Sequence, residues 1–404
     1  MRRFIGLSLA ALIVVTVGCA GDIWDEDKEV GAGGGDGQNN GAPPDTTTGG
    51  GKTPGKTYPL CGKMSAPNLF RNALCVCYNL KDVGALLVRQ GPSKETPTMG
   101  VNGTTKVINH SGIDGTLVTY KGLEALANVD VRDNLKSHGN VNFTGRLKVG
   151  RDMMVGGNLS GIGYLDVGGK LGVGGSENIL GVKAGGVKLA SYAPLSGPPC
   201  DCSAGKVLDV KGVVAKARAK NDNAKAGLPN NPVSTIGKAA LVLNSGSYYF
   251  GNKKSIGYVK ITVNGMVNIY VDGDLDAIGY DRFKITSGSV LNHYVSGNVK
   301  TIGHMVYGNK HHPSAFRLYI GGRDKATLQV GNQVFYGSIY APWSRLTYVG
   351  RTRIEGSMVV GTLESIGLLE LYFSRPVHNG NGDRCKPPGK KDDPPDPKKL
   401  PLVK

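Results

Sequence analysis

From Leu117 to Leu171 an apolar residue stands at every sixth position: Leu117, Leu123, Val129, Leu135, Val141, Leu147, Met153, Leu159, Leu165 and Leu171. Two residues after each come Thr119, Ala125, Val131, Ser137, Phe143, Val149, Val155, Gly161, Val167 and Val173, most of them apolar. Side chains two apart on an extended chain point to one side, so each hexad predicts a short strand with one buried pair. Glycines at 150, 156, 168 and 174 follow such pairs, where the backbone has to turn. The pattern is the signature of a parallel β-helix with about three hexads per coil.

Past residue 233 strand patterns resume in longer coils. Ile-Gly or Val-Gly recurs at Ile236, Ile256, Ile278, Ile302, Ile320, Val349 and Ile366, and the near-copies Gly337-Ser338-Ile339-Tyr340 and Gly356-Ser357-Met358-Val359 lie nineteen residues apart. Between the two regions, Val210, Val213, Val214, Ala217 and Ala224 have roughly helical spacing, with Lys211, Lys216, Arg218 and Lys220 as a polar side. The fold class is therefore all-β, a parallel β-helix in two parts with one interrupting helix. The expected organisation is a signal peptide (1–18), an anchor and flexible tether (19–58), and a Cys-containing N-terminal cap (59–104). The hexad β-helix (105–200), a helical insertion (201–232), a second β-helix part (233–385) and a disordered tail (386–404) follow.

Composition agrees with many short strands and a narrow core: 404 residues carry 62 glycines but only 8 phenylalanines and 2 tryptophans. At the N-terminus, Arg2 and Arg3 precede an apolar segment too short to span a bilayer as a mature helix, which predicts export. The segment ends Thr16-Val17-Gly18-Cys19, which resembles the lipobox of bacterial lipoproteins, departing from it at Thr16 where an aliphatic residue is usual. That resemblance implies acylation of Cys19, membrane attachment through the lipid and, with Ala20 following, transit to the outer membrane. Residues 20 to 58 are rich in Gly, Pro, Thr and Asn and read as a tether reaching on the order of 30 to 40 Å.

The six other cysteines, Cys61, Cys75, Cys77, Cys200, Cys202 and Cys385, are an even set in an oxidising compartment and predict up to three disulfides of open pairing. They flank the repeat regions, where a solenoid has ends or an interruption to tie down. A formal net charge of +17 points to acidic polysaccharide or lipopolysaccharide as partners. No dense basic run with interleaved aromatics suggests nucleic acid as a specific ligand.

The segment from Asp201 to Phe373 resembles an uncharacterised β-helical surface domain of exported, myxobacterial-type lipoproteins. The resemblance rests on Ala219-Lys220-Asn221-Asp222-Asn223-Ala224, Tyr248-Tyr249-Phe250, Val267 to Leu275, Leu318 to Gly322 and Gly337 to Pro342. The hexad region is similar to bactofilins, polymer-forming β-helix proteins that lack a signal, a tether and these cysteines.

Chemistry is sparse. Asp272, Asp274 and Asp276 alternate, as ligands of a Ca²⁺ site on one side of a strand would, although Ala277 and Phe283 stand where an EF-hand needs Gly and an acid. No paired acidic motif on neighbouring coils, nucleophile elbow or zinc-protease helix occurs, so the expectation is a non-enzyme without cofactor. Tyr319, Tyr340 and Trp343 are candidates for stacking against sugar rings. The expected function is adhesion or binding to envelope or matrix polysaccharide by a lipid-anchored surface module that other envelope proteins can also contact. Two alternatives are a polysaccharide lyase or hydrolase and a self-assembling envelope protein.

Overall fold

The hexads set a coil of eighteen residues. Leu117 lies in register with Leu135, Met153 and Leu171, Val141 stands between Leu123 and Leu159, and Leu147 between Val129 and Leu165. The three columns define three faces of a parallel β-solenoid, and all ten hexad residues are at most 1% exposed. The second register fills the rest of the core by size. Gly161 lies beside Phe143 in the coil below, and a Cβ at Gly161 would come 2.1 Å from that ring. The structure is a computed structural model. It describes residues 70–374 except 93, 127, 189–191, 193–194, 204, 230–231, 233–234, 324 and 331–332. Among these are 24 strands, one α-helix (α1, Val210–Ala219) and about twelve turns.

The coils do not stack in chain order. The first strand, Leu74–Val76, pairs with Thr98–Val101 on one side and with the last strand, Met358–Phe373, on the other. Leu80–Gln90 is likewise held between Met358–Phe373 and Thr104–Ile113. The chain thus enters in the middle of the solenoid and winds outward to Glu177–Lys188. It then returns along the outside to the far end and winds back until its last coil closes on its first. One hydrophobic core runs through both halves and across this joint. The expected N-terminal cap is corrected accordingly: residues 74–104 are a central coil, because Leu74, Val76, Leu80, Leu86 and Val88 face the same core column as the coils on either side.

The return segment is a strap over the first face. The outward column there runs Tyr249, Tyr270, Tyr294, Tyr319, Tyr340, Val359, Cys75, Gly100, Val118, Lys136, Met154 and Gly172, unbroken across the joint. The helix buries Val210, Val214 and Ala217 against the tyrosines, forming a second apolar cluster outside the solenoid with Phe70, Leu208 and Cys200. Two disulfides, Cys75–Cys200 and Cys77–Cys202, hold the strap to the central coil. Asn102 adds a reciprocal amide pair to the backbone of Cys200, at 2.8 and 2.9 Å. Cys61 and Cys385 lie outside the described residues. The helix is shorter than its apolar spacing suggested: Asp209 caps its start through the Gly212 amide, 3.0 Å away. Past Lys220, Asp222 and Asn223 leave the helical path to bond the end strand Gly246–Phe250, as described below.

Where the second face meets the third, most coils among the described residues have one residue with a positive φ. The column is Gly237, Gly257, Gly279 and Gly303, then Gly350, Gly367, Gly84 and Asn109, then Gly145, Gly163 and Gly181. A side chain at Gly163 would strain the backbone at φ +127° and place a Cβ 2.2 Å from the Gly145 carbonyl oxygen. The Ile-Gly and Val-Gly recurrence is the sequence trace of this corner, except at Ile320, which belongs to the first face.

Both ends are blunted. At one, Lys183 and Glu177 occupy the positions of Leu165 and Leu159 and form an ion pair of 2.6 Å over the core, a charged termination that opposes further stacking. At the other, Asp222 and Asn223 pair with Gly246–Phe250. The Asp222 carboxylate accepts from the Ser247 amide at 2.8 Å, and the Asn223 side chain exchanges hydrogen bonds with the Tyr249 backbone.

One carboxylate sits inside the central coil. Asp82 is 0% exposed, and burial pushes its pKa up to about 7 from the usual 3.8, with Ser365 on the neighbouring coil offsetting part of the effect. The folded protein therefore holds this proton through a pH range in which the unfolded chain has lost it. The contribution of Asp82 to stability should be full below about pH 4 and fall by up to ~1.4 kcal/mol per pH unit until about pH 7, against an opposite slope from the buried neutral His293. The difference in thermal stability between the parent and Asp82→Asn should carry that slope, and a difference independent of pH would overturn the assignment.

Candidate functional site

On the third face, near the joint, outward side chains of four successive coils form an open groove of about 390 Å³ lined by Arg89, His110, Asp114, Asp130, Arg132, Arg146 and Lys148. Parallel register builds it: His110 is followed by Asn128 and Arg146, and Asp130 by Lys148. Asp114 is shared between Arg89 at 3.0 Å and Arg132 at 3.2 Å, and Asp130 lies 3.8 Å from Arg146. Four cations face two lining carboxylates and Asp166, which lies 3.8 Å from Lys148, leaving an excess of one positive charge before His110 is counted. The cationic side chains are 36 to 62% exposed where they pair with Asp114 and Asp130, so the groove meets solvent. Such a track suits successive anionic groups on an extended polymer.

A second cleft, of about 450 Å³, lies where the strap leaves the tyrosine column and is lined by Arg218, Asn221, Asn223, Tyr249, Gly251 and Asp272. Its carboxylate is engaged: Tyr249 donates to Asp272, and the Ser296 hydroxyl donates to the other oxygen at 3.3 Å. Burial and this carboxylate together push Tyr249 up to about 12. The motif residues Asn221 to Asn223 thus serve to seat the strap on the edge strand.

The aspartates read as a Ca²⁺ set do not converge, and that expectation is corrected. Asp274 belongs to a ladder of turn side chains, taking the Asn298 amide at 2.6 Å while its own amide donates to Asn252 at 2.9 Å. The same rung recurs at Asn134, Asn140, Asp152 and Asn158. Asp276 stands on the second face between Lys254 and Lys300. Among the described residues no group of three His, Cys, Asp or Glu is arranged to hold a metal ion.

The sugar-stacking tyrosines are corrected as well. Tyr319 and Tyr340 point away from the solenoid, but the strap leaves them 0% and 2% exposed. Tyr294 stacks 4.6 Å from Tyr319, Phe70 packs on Tyr319 and Tyr340, and the Tyr340 hydroxyl accepts the Leu208 amide at 2.8 Å. Trp343 is half-buried, with the Arg323 guanidinium 5.7 Å above its ring. Sequence reasoning missed the basic groove because its cations are far apart in the chain. The coil length of eighteen brings Arg146 and Lys148 beside Asn128 and Asp130, while Arg89 joins through a step of twenty-five residues to Asp114.

Cys19 lies outside the described residues, and among the described residues no helix is long and apolar enough to cross a membrane. No curated protein and no solved structure matches the chain. Residues 203–374, from just past the second disulfide to the coil that closes on the first, match a family described as a domain of unknown function, DUF7305.

Proposed function

We propose that the protein is a non-enzymatic surface module, held by an acylated Cys19 and a tether, that binds acidic envelope or matrix polysaccharide along its third face. The basic groove of Arg89, Arg132, Arg146 and Lys148 carries this reading, because its cations are exposed, repeat with the coils and outnumber their carboxylates. The +17 formal charge adds long-range attraction of the same sign. The non-enzymatic part is supported by the engagement of the cleft and groove carboxylates with cations, a tyrosine or backbone amides, which suits structure more than proton transfer.

Binding to a panel of uronic-acid and neutral glycans tests it. Acidic members should bind and weaken steeply between about 0.05 and 0.5 M salt, within the range over which screening grows. Arg132→Glu with Arg146→Glu should lower affinity roughly tenfold or more while the melting temperature holds. Equal affinity for neutral glycans, or release of new reducing ends or unsaturated sugars, would overturn the reading.

A further inference from the structure

The residue ahead of the positive-φ corner points outward in each coil and is aliphatic along nearly the whole solenoid. Ile256, Ile278 and Ile302 share one column, and Val349, Ile366, Val83 and Ile108 another. Leu126, Ile162 and Leu180 extend it, with Thr144 as a polar rung. Exposure is 41% at Ile256, 42% at Ile278, 52% at Ile366, 36% at Val83, 54% at Leu126, 58% at Ile162 and 63% at Leu180. Single surface aliphatics need no explanation, but a straight file of them does. At about 4.8 Å per coil the ridge is roughly 50 Å long. With its exposed neighbours Tyr258, Tyr164 and Val182 it offers on the order of 700 to 1,000 Å², beyond the largest patch of most monomers and close to one partner's share of a stable interface.

Beside the ridge, on the half from 126 to 180, runs a groove of about 480 Å³. Leu126, Ile162 and Leu180 form one wall; Asn142, Ser160 and Asn178 form the other, with the Lys106–Glu124 ion pair of 3.3 Å at its end, and Gly161 leaves room in the floor. We propose that two copies of this chain pair side by side and antiparallel through this corner. The twofold axis passes between the coils of Ile366 and Val83, so that the 256–366 half of each ridge lies in the 126–180 groove of the other copy.

Three features select a second copy as the occupant. Only another solenoid of this kind presents a rigid apolar file of equal pitch, and ridge and groove on opposite halves are self-complementary about a twofold. At the axis, Glu364 and Lys81 are register neighbours on the second face, so each meets its opposite charge across the interface. The Lys183–Glu177 pair over one end of the core turns association from the ends to the side. Tyr164 shares its column with Arg146, so pairing abuts one edge of the basic groove, while Arg89, Arg132 and Lys148 stay open farther along the third face.

Sedimentation of the full chain with Cys19→Ser, which removes the acyl group, tests this at about 0.05 and 0.5 M salt. The chain should run at twice the monomer mass and associate more tightly at high salt, because copies of +17 repel. Anionic polysaccharide binding has the opposite salt dependence, which separates the two readings. Val83→Lys with Ile366→Lys should give a monomer of unchanged melting temperature and intact glycan binding, and Ile162→Lys with Ile278→Lys should do the same. A monomer at both salts, a variant that still dimerises, or assemblies larger than two would overturn the proposal. So would a monomer that binds anionic phospholipid vesicles through these same residues.

Discussion

Lys253→Met is expected to destabilise the protein by about 3 to 5 kcal/mol, while Lys253→Met combined with Asp281→Leu returns most of that loss. The two charges lie inside the solenoid, their side chains 1% and 2% exposed, with Nζ and Oδ2 2.7 Å apart. Tyr307 donates to the same Asp281 oxygen at 3.2 Å, and Phe283 lies 5.4 Å beneath the ammonium. The surroundings are arranged for this pair. Burial, and secondarily Lys253, lowers His293 to about 3, so it adds no second positive charge. Removing one partner strands the other charge in the core, whereas removing both leaves an apolar gap that methionine and leucine fill. Urea unfolding of the two variants decides the matter. A single variant as stable as the double would mean that water reaches the site.

Reduction of both disulfides should cost a similar amount, about 4 kcal/mol. Cys75–Cys200 and Cys77–Cys202 each close a loop with a sequence separation of 125, and a constraint of that length restricts the unfolded chain by about 4 to 5 kcal/mol. The second bridge lies two residues from the first at both ends and adds little to the loop entropy, so Cys75→Ala/Cys200→Ala alone should retain most of the stability. Melting with and without reductant measures this. The strap also governs the tyrosines beneath it. Burial pushes Tyr270 and Tyr340 up to about 12, and in molecules whose strap is displaced they should ionise nearer 10, visible as phenolate absorbance in alkaline titration. A melting temperature indifferent to complete reduction would show that α1 and Asn102 hold the strap unaided.

The hexads were legible because a solenoid writes its tertiary contacts as a local period. Leu117, Leu135 and Met153 touch because each coil repeats the last, so spacing in the chain is spacing in space. The same logic made the corner glycines visible at Ile256-Gly257, Ile278-Gly279 and Ile366-Gly367. It failed wherever a contact joins distant segments. Residues 74–104 looked like a cap because they carry cysteines ahead of the unbroken hexads, and the thirteen-residue step from Leu86 to Met99 interrupts the beat, yet they pair with Met358–Phe373 across most of the chain. Tyr319 and Tyr340 have the alternation of exposed strand residues, and only the strap passing over them makes them core. Asp274 carries the composition of a cation site, but its carboxylate is taken by an amide one coil away.

By itself, then, the sequence determined the parallel β-solenoid, its coil of three hexads, its glycine corner and the single helix between two repeat regions. Each follows from side-chain periodicity and backbone sterics within a few dozen residues. Tertiary structure alone decided the order of the coils, the central position of the first strands, the pairing of four cysteines and the burial of the tyrosine column. It also gathered the cations of the groove and lined up the outer aliphatic ridge. The reason is physical: a parallel edge accepts any strand of matching register, so local pattern fixes what a coil is, while the path of the connecting strap fixes which coil it meets.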